Sequence, residues 1–179
     1  QNFTLIEPNG TKWQYNQFRG LNSVSDRNGN ELVYTDEGIF HSSGIAVRFD
    51  RDNEGRIVAI NDPEGDSLQY EYNSLGELVS FTDRMGQTET YTYLDSPQHF
   101  MEQLIDVNGN ITRIEFDDDG RLAGTVDGLG NRIAQEWEPA SFMGTITDAK
   151  GQVTLLEYDL RGNIIREEDP LGNAKTYEV

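Results

Sequence analysis

The sequence of 179 residues contains no cysteine and only two histidines, His41 and His99. A disulfide framework, a thiolate metal site and a cysteine nucleophile are therefore excluded, and a His-rich zinc site has too few ligands. Basic residues are also scarce, because 14 Lys and Arg stand against 32 Asp and Glu, a formal net charge of −18. This balance argues against a nucleic-acid partner, since phosphates are neutralised by clustered Lys and Arg, and against direct contact with an anionic membrane.

Long apolar runs are missing too. No stretch approaches the roughly 20 apolar residues of a membrane-spanning helix. The N-terminal residues Gln1–Thr4 have neither the basic nor the apolar region of a signal peptide, and a starting Met is absent, so we expect a processed chain or a piece of a longer protein. No nucleophile motif is recognisable, and the many carboxylates suit turns and a solvated strand face, so we predict no catalysis and no cofactor.

Glycine, by contrast, is abundant and regularly placed. One series has intervals of 21, 21, 23, 21, 21 and 21 residues and comprises Gly44, Gly65, Gly86, Gly109, Gly130, Gly151 and Gly172. A second series lies 11 residues later, at Gly55, Gly76, Gly120 and Gly162, with Pro97 and Ser141 in the two missing places. A fixed period is the signature of tandem repeats. We predict one array, with degenerate, shorter repeats over 1–43 and regular repeats over 44–179.

Each glycine of the first series closes a phrase that is typical of a turn. The residue three positions earlier is usually Asp, which suits the first position of a type I turn, while Gly accepts the left-handed conformation that follows. The predicted structural turn residues are Asp62, Gly65, Asp83, Gly86, Asp106, Gly109, Asp127, Gly130, Asp148, Gly151, Asp169 and Gly172. Turn signals every 10 or 11 residues leave room for strands of about 6 to 8 residues and for little helix.

The segments between the turns alternate large apolar and polar residues, which is typical of strands with one apolar face. The predicted aromatic core stripe is Tyr70, Tyr72, Tyr91, Tyr93, Phe116, Trp137, Tyr158 and Tyr177. We therefore predict an all-β fold of tandem antiparallel β-hairpins, about 21 residues each and 16 to 18 strands in all, forming a curved, continuous sheet strip. The longer 23-residue interval is assigned to an extended turn within Ser96–Gln103.

The phrase Tyr158–Ile164, followed by Asp169–Asn173 and Tyr177, resembles the YD repeat of RHS proteins. Phe116–Leu122 and Tyr72–Leu78 are variants of it. This family includes bacterial polymorphic toxins, toxin-complex subunits, wall-associated proteins and the teneurins. The resemblance implies a strip of hairpins that coils into a hollow RHS-type β-shell, with many more repeats than this chain contains.

The resemblance also implies a role. The expected function is a structural, non-catalytic part of a shell that encloses or presents another domain, such as a toxin, of a large exported protein. The expected partners are flanking repeats and that enclosed or attached domain. The open strands at the two ends predict either flanking protein in the parent or edge-to-edge self-association of this chain. The expected location is the exterior or surface of a bacterial cell. The alternative is an extracellular module that recognises carbohydrate or protein.

Two further interpretations remain as hypotheses. Asp50, Asp52 and Glu54 precede Gly55 in the spacing of a calcium loop, but Asn61 stands where a bidentate Glu is expected, so an ordinary turn is favoured over a metal site. The aromatic stripe resembles a ladder for sugar rings, but stacked repeats need such a stripe as their continuous core, so the core interpretation is favoured. The acidic surface is interpreted as a solvated face that maintains solubility.

Overall fold

The computed structural model describes residues 1–178, and Val179 lies outside them. Over these residues the chain is all-β, with eighteen strands and no helix, which confirms the predicted fold class. The described residues accordingly include no helix that could cross a membrane. The chain forms two compact units, one over Gln1–Thr88 and one from Glu89 onward.

The first unit is a meander in which each strand pairs antiparallel with the next along the chain. Its strands are β1 (Asn2–Ile6), β2 (Lys12–Asn16), β3 (Gly20–Ser25), β4 (Glu31–Thr35), β5 (Gly38–His41), β6 (Ala46–Arg51), β7 (Ile57–Asn61), β8 (Ser67–Tyr72) and β9 (Leu78–Thr82). Antiparallel hairpins therefore extend through residues 1–43, for which the sequence predicts shorter, degenerate repeats.

The second unit repeats the same meander. Its strands are β10 (Thr88–Tyr93, whose first residue closes the first unit), β11 (Met101–Ile105), β12 (Ile111–Phe116), β13 (Leu122–Asp127), β14 (Arg132–Glu138), β15 (Met143–Thr147), β16 (Val153–Tyr158), β17 (Ile164–Glu168) and β18 (Ala174–Thr176). The extra residues of the long repeat lie between β10 and β11, where Leu94 N donates to Phe100 O at 2.9 Å.

Strand register separates two kinds of side chain. Tyr70 of β8 is opposite Phe81 of β9, and the intervening Glu71 is opposite Ser80. Because successive side chains of a strand point to opposite faces, the aromatic rings share one face and the polar groups share the other. We call these the aromatic face and the polar face.

Hairpins that turn at a glycine of the second series contain one residue more on one strand than hairpins that turn at a glycine of the first series. At turns of the second glycine series the ladder shifts register beside the turn, so that Glu157 is opposite Arg166 while the next residue, Tyr158, is opposite Ile164. Ile165 is then the extra residue of a β-bulge, in which two residues of one strand oppose one residue of the other. The adjacent apolar pair Ile164–Ile165, which breaks strict alternation in the sequence, is explained by this bulge.

The apolar groups are only partly buried. Among residues 1–178, Leu156, 7% exposed, is the one buried apolar residue, and Ser23 and Glu77 are the buried polar ones. The residues of the predicted core stripe are half-buried, except for Trp137 and Tyr177, which are 37% and 44% exposed. The strands of each unit belong to one hydrogen-bonded sheet, and no second sheet is present among the described residues to cover its faces.

Candidate functional site

The most regular feature of the chain is a hydrogen-bonded turn, here called the carboxylate turn. In the turn that begins at Asp159, Gly162 N donates to Asp159 O at 3.0 Å and Asp159 N donates to Asn163 O at 2.9 Å. The Asp159 carboxylate closes the centre of the loop, because its Oδ1 accepts from Arg161 N at 2.8 Å and from Asn163 N at 2.9 Å. Asp is favoured here because its short side chain reaches backbone N–H groups two and four residues ahead.

The same arrangement recurs along the described chain. In eleven turns the side-chain oxygen of the first residue accepts from the backbone N–H groups of the third and fifth residues. These first residues are Asp26, Asp52, Asp62, Asn73, Asp83, Asp106, Asp117, Asp127, Asp148, Asp159 and Asp169. The set includes all six Asp residues named as turn residues from the sequence.

The residue after glycine completes many of these turns. In five of them it is Asn, whose Nδ2 donates to the second carboxylate oxygen, as from Asn163 to Asp159 Oδ2 at 2.9 Å. In two it is Arg, and Arg56 Nε donates to Asp52 Oδ2 at 2.7 Å. This partner was not identified from the sequence, although its signal was present: Asn or Arg directly after glycine, four residues after Asp.

The turn holds its carboxylate in the ionised form. Hydrogen bonds donated by the Asn side chain, and then by backbone N–H groups, lower the pKa of Asp106, Asp127, Asp159 and Asp169 below the ordinary value of 3.8. The pKa of Asp117 is lowered first by the backbone N–H of Arg121. The cause is physical, since N–H donors favour the charged form of an acceptor.

The calcium candidates are placed among these turns. Asp52 and Glu54 both bind the Arg56 guanidinium, at 2.7 Å and 3.0 Å, and the same guanidinium lies 4.6 Å from the ring centroid of Tyr72. Asp50 accepts from Asn61 Nδ2 at 2.9 Å. A cation would therefore compete with Arg56 for two of the three carboxylates.

A different group of carboxylates lies closer together. Oxygens of Asp62, Glu64 and Asp66 lie within 4.8 Å of one another. Asp62 Oδ2 also accepts from Arg84 Nη1 at 3.0 Å. Arg84 belongs to the next turn of the same glycine series, so this ion pair links two consecutive repeats.

The aromatic face is organised by pairs of rings. Tyr70 and Phe81 are direct cross-strand partners with centroids 5.3 Å apart. Phe116 meets Phe100, a residue of the long connection before β11, edge to face at 4.8 Å. Such pairs stabilise a sheet beyond the area they bury, by about 0.5–1.5 kcal/mol each.

The other tyrosines of the stripe are fixed by their hydroxyl groups or by strand pairing. Tyr72 Oη donates to Ile57 O at 3.0 Å, and Tyr91 Oη donates to Glu89 Oε2 at 3.0 Å. Tyr177 Oη donates to Glu167 Oε2 at 2.9 Å, and this bond raises the pKa of Tyr177. Tyr93 is half-buried on β10 opposite Met101.

The sequence of this chain was also compared with models of protein families. The family model described as the Teneurin YD-shell matches residues 8–127, which is more than half of the chain. The chain belongs to the teneurin YD-shell family. The match begins at residue 8, within the range 1–43 for which the sequence predicts degenerate repeats.

Solved structures were also compared with the YD-shell segment. The crystal structure of TcdB2–TccC3–TEV has 14% sequence identity and a TM-score of 0.36, and the match covers 94% of this chain and 12% of that chain. The Photorhabdus luminescens Tc holotoxin pore has 14% identity and a TM-score of 0.35, with 92% and 12% covered. The segment thus spans about 12% of the length of these chains. No curated protein matches it.

Proposed function

We propose that this segment is part of the wall of a shell that encloses or presents another domain of a large exported protein, such as a toxin. The observation that carries the proposal is the antiparallel pairing of each strand with the next within each unit of a YD-shell family member, in which eleven connections have the hydrogen-bonded turn described above. Confinement requires a continuous hydrogen-bonded surface and no chemistry of its own. We therefore assign the segment no catalytic role, and a bacterial, extracellular setting is part of the proposal.

Two adjacent positions on opposite faces of β14 test whether one face of the sheet is enclosed in the parent protein. Gln135 and Glu136 are adjacent, exposed residues of β14; Gln135 is opposite Ile146 on the aromatic face and Glu136 is opposite Thr145 on the polar face. The segment contains no cysteine, so Gln135→Cys and Glu136→Cys each introduce one thiol into it. Both variants are made in the parent protein, and a maleimide attached to a large polymer is the probe.

In a closed shell, one of the two thiols faces the interior and reacts much more slowly with the polymer than with a small maleimide. The other thiol reacts with both reagents. Equal reaction of both thiols with the polymer in the parent protein would show that neither face is enclosed, and the proposal would fail. The same two variants in the isolated segment are the control, and both should react there.

The second candidate function is recognition of carbohydrate. It is favoured by Trp137, which lies on the aromatic face and is 37% exposed. Quenching of tryptophan fluorescence by oligosaccharides tests it, with Trp13 as the reference tryptophan. Saturable quenching that Trp137→Phe abolishes would favour recognition over enclosure.

A further inference from the structure

Three Asn–Gly pairs occupy the same place in three turns, as the third and fourth turn residues. They are Asn9–Gly10, Asn28–Gly29 and Asn108–Gly109. Asn–Gly is prone to deamidation because glycine has no side chain to hinder its backbone nitrogen from attacking the Asn side chain. The glycine N–Cγ bond forms, the Cγ–Nδ2 bond breaks, ammonia leaves and a cyclic imide remains. Water then opens the imide to aspartate or isoaspartate.

The native turn restrains the attacking nitrogen. Gly10 N donates to Glu7 O at 2.9 Å, and Gly109 N donates to Asp106 O at 2.9 Å. The corresponding distance from Gly29 N to Asp26 O is 3.3 Å, which is beyond the usual range for an N–H···O bond. The nitrogen that would attack Asn28 is therefore the least restrained of the three.

The surroundings of the glycine also distinguish Asn9–Gly10 from Asn28–Gly29. The side chain of Arg27 covers Gly10, where a Cβ would lie 3.2 Å from Arg27 Cβ, and Gly10 is half-buried. Gly29 is exposed and has no heavy atom within 4 Å of a Cβ built there. Water and hydroxide therefore reach Gly29 more readily than Gly10.

We propose that Asn28 is the modification site at which this chain deamidates first. Isoaspartate at this position would add a methylene group to the backbone and a negative charge beside Asp26. The turn between β3 and β4 could then no longer form its present hydrogen bonds. Modification would loosen this hairpin without any enzyme.

The test is incubation of the full chain at pH 7.5 and 37 °C in water enriched in oxygen-18, followed by peptide mass spectrometry. In the native chain, we expect label to enter at Asn28 several-fold faster than at Asn108 or Asn9. In concentrated guanidinium chloride, the three rates should rise and converge. Equal native rates at Asn28 and Asn108, or native rates equal to those of the denatured chain, would overturn the proposal.

A matched pair of variants isolates the turn. Asp26→Ala removes the side-chain acceptor of Asn28 N and Asn30 N, and Asp106→Ala does the same for Asn108 N and Asn110 N. Asp26→Ala should accelerate labelling at Asn28 alone, with Asn108 as the internal reporter of global unfolding. If Asp26→Ala leaves the labelling rate at Asn28 unchanged while Asp106→Ala accelerates labelling at Asn108, the hydrogen bonds of the turn do not limit deamidation at Asn28, and the proposal fails.

Discussion

The rings of Trp137 and Tyr158 meet edge to face with centroids 4.6 Å apart, although β15 lies between their strands. They meet over Gly144, which is opposite Trp137 on one side and Leu156 on the other. A Cβ at Gly144 would lie 3.2 Å from Tyr158 Cε2 and 3.3 Å from Glu136 O. The missing side chain therefore allows a contact that skips a strand.

Gly144→Ala should consequently destabilise the chain by about 1–3 kcal/mol, as overpacking does elsewhere, and should weaken the near-UV circular dichroism of the ring pair. Urea denaturation measures the first effect. Gly128→Ala is the matched control, because the nearest atoms to a Cβ there lie 3.8 Å away. Equal stability of the two variants would contradict this account of Gly144.

The polar face contains a similar contact. Arg132 Nε donates to Glu115 Oε2 at 2.6 Å, from β14 to β12, over Gly124 of β13. Arg132→Ala should cost only about 0.2–1 kcal/mol, since both partners are partly exposed. Gly124→Ala should cost more, because its Cβ would lie 2.6 Å from Ile133 O and backbone must move. The reverse order in urea denaturation would show that the ion pair matters more than the close approach.

The carboxylate turn predicts a specific pH dependence. The hydrogen bond from Asn163 is the first cause of the lowered pKa of Asp159, so Asn163→Ala should raise that pKa toward 3.8. Because the folded-state pKa lies below the unfolded value, the stabilisation is complete above about pH 4 and is lost as the pH falls through the folded pKa.

The difference in melting temperature between the wild-type chain and Asn163→Ala should accordingly be constant at neutral pH and vanish in stronger acid. Carboxyl carbon shifts in NMR measure the pKa of Asp159 directly. A difference that persists unchanged to pH 2 would place the effect of Asn163 outside the carboxylate.

Calcium binding at Asp50, Asp52 and Glu54 is the less favoured of the two hypotheses for this turn, and a titration decides between them. Because Arg56 binds two of these carboxylates, we expect calorimetry with calcium to give no saturable heat. Arg56→Ala removes the competing cation, and any affinity should appear first in that variant. Saturable heat in the wild-type chain that Asp52→Asn abolishes would establish a calcium site instead.

The sequence predicts the hairpin array well because both of its signals are local. Asp and Gly three residues apart set most of the regular turns, and alternation along each strand sets its two faces. The sequence does not show the bulge at Ile165, because a bulge is a relation between two strands and leaves only an irregular apolar pair behind. The role of Asn163 was missed for a similar reason, since its partner is evident only once the turn is closed.

The period, many of the turns and the antiparallel hairpins are evident from the sequence alone, because they depend on contacts between residues close in the chain. The repeat phrases also indicate the family. Tertiary structure decided how far the rings are buried and which of them meet. Leu156 is buried while Trp137 is 37% exposed, although both lie on the aromatic face. Burial depends on what neighbouring strands place above each residue, and Gly144, by placing nothing there, allows Trp137 and Tyr158 to meet.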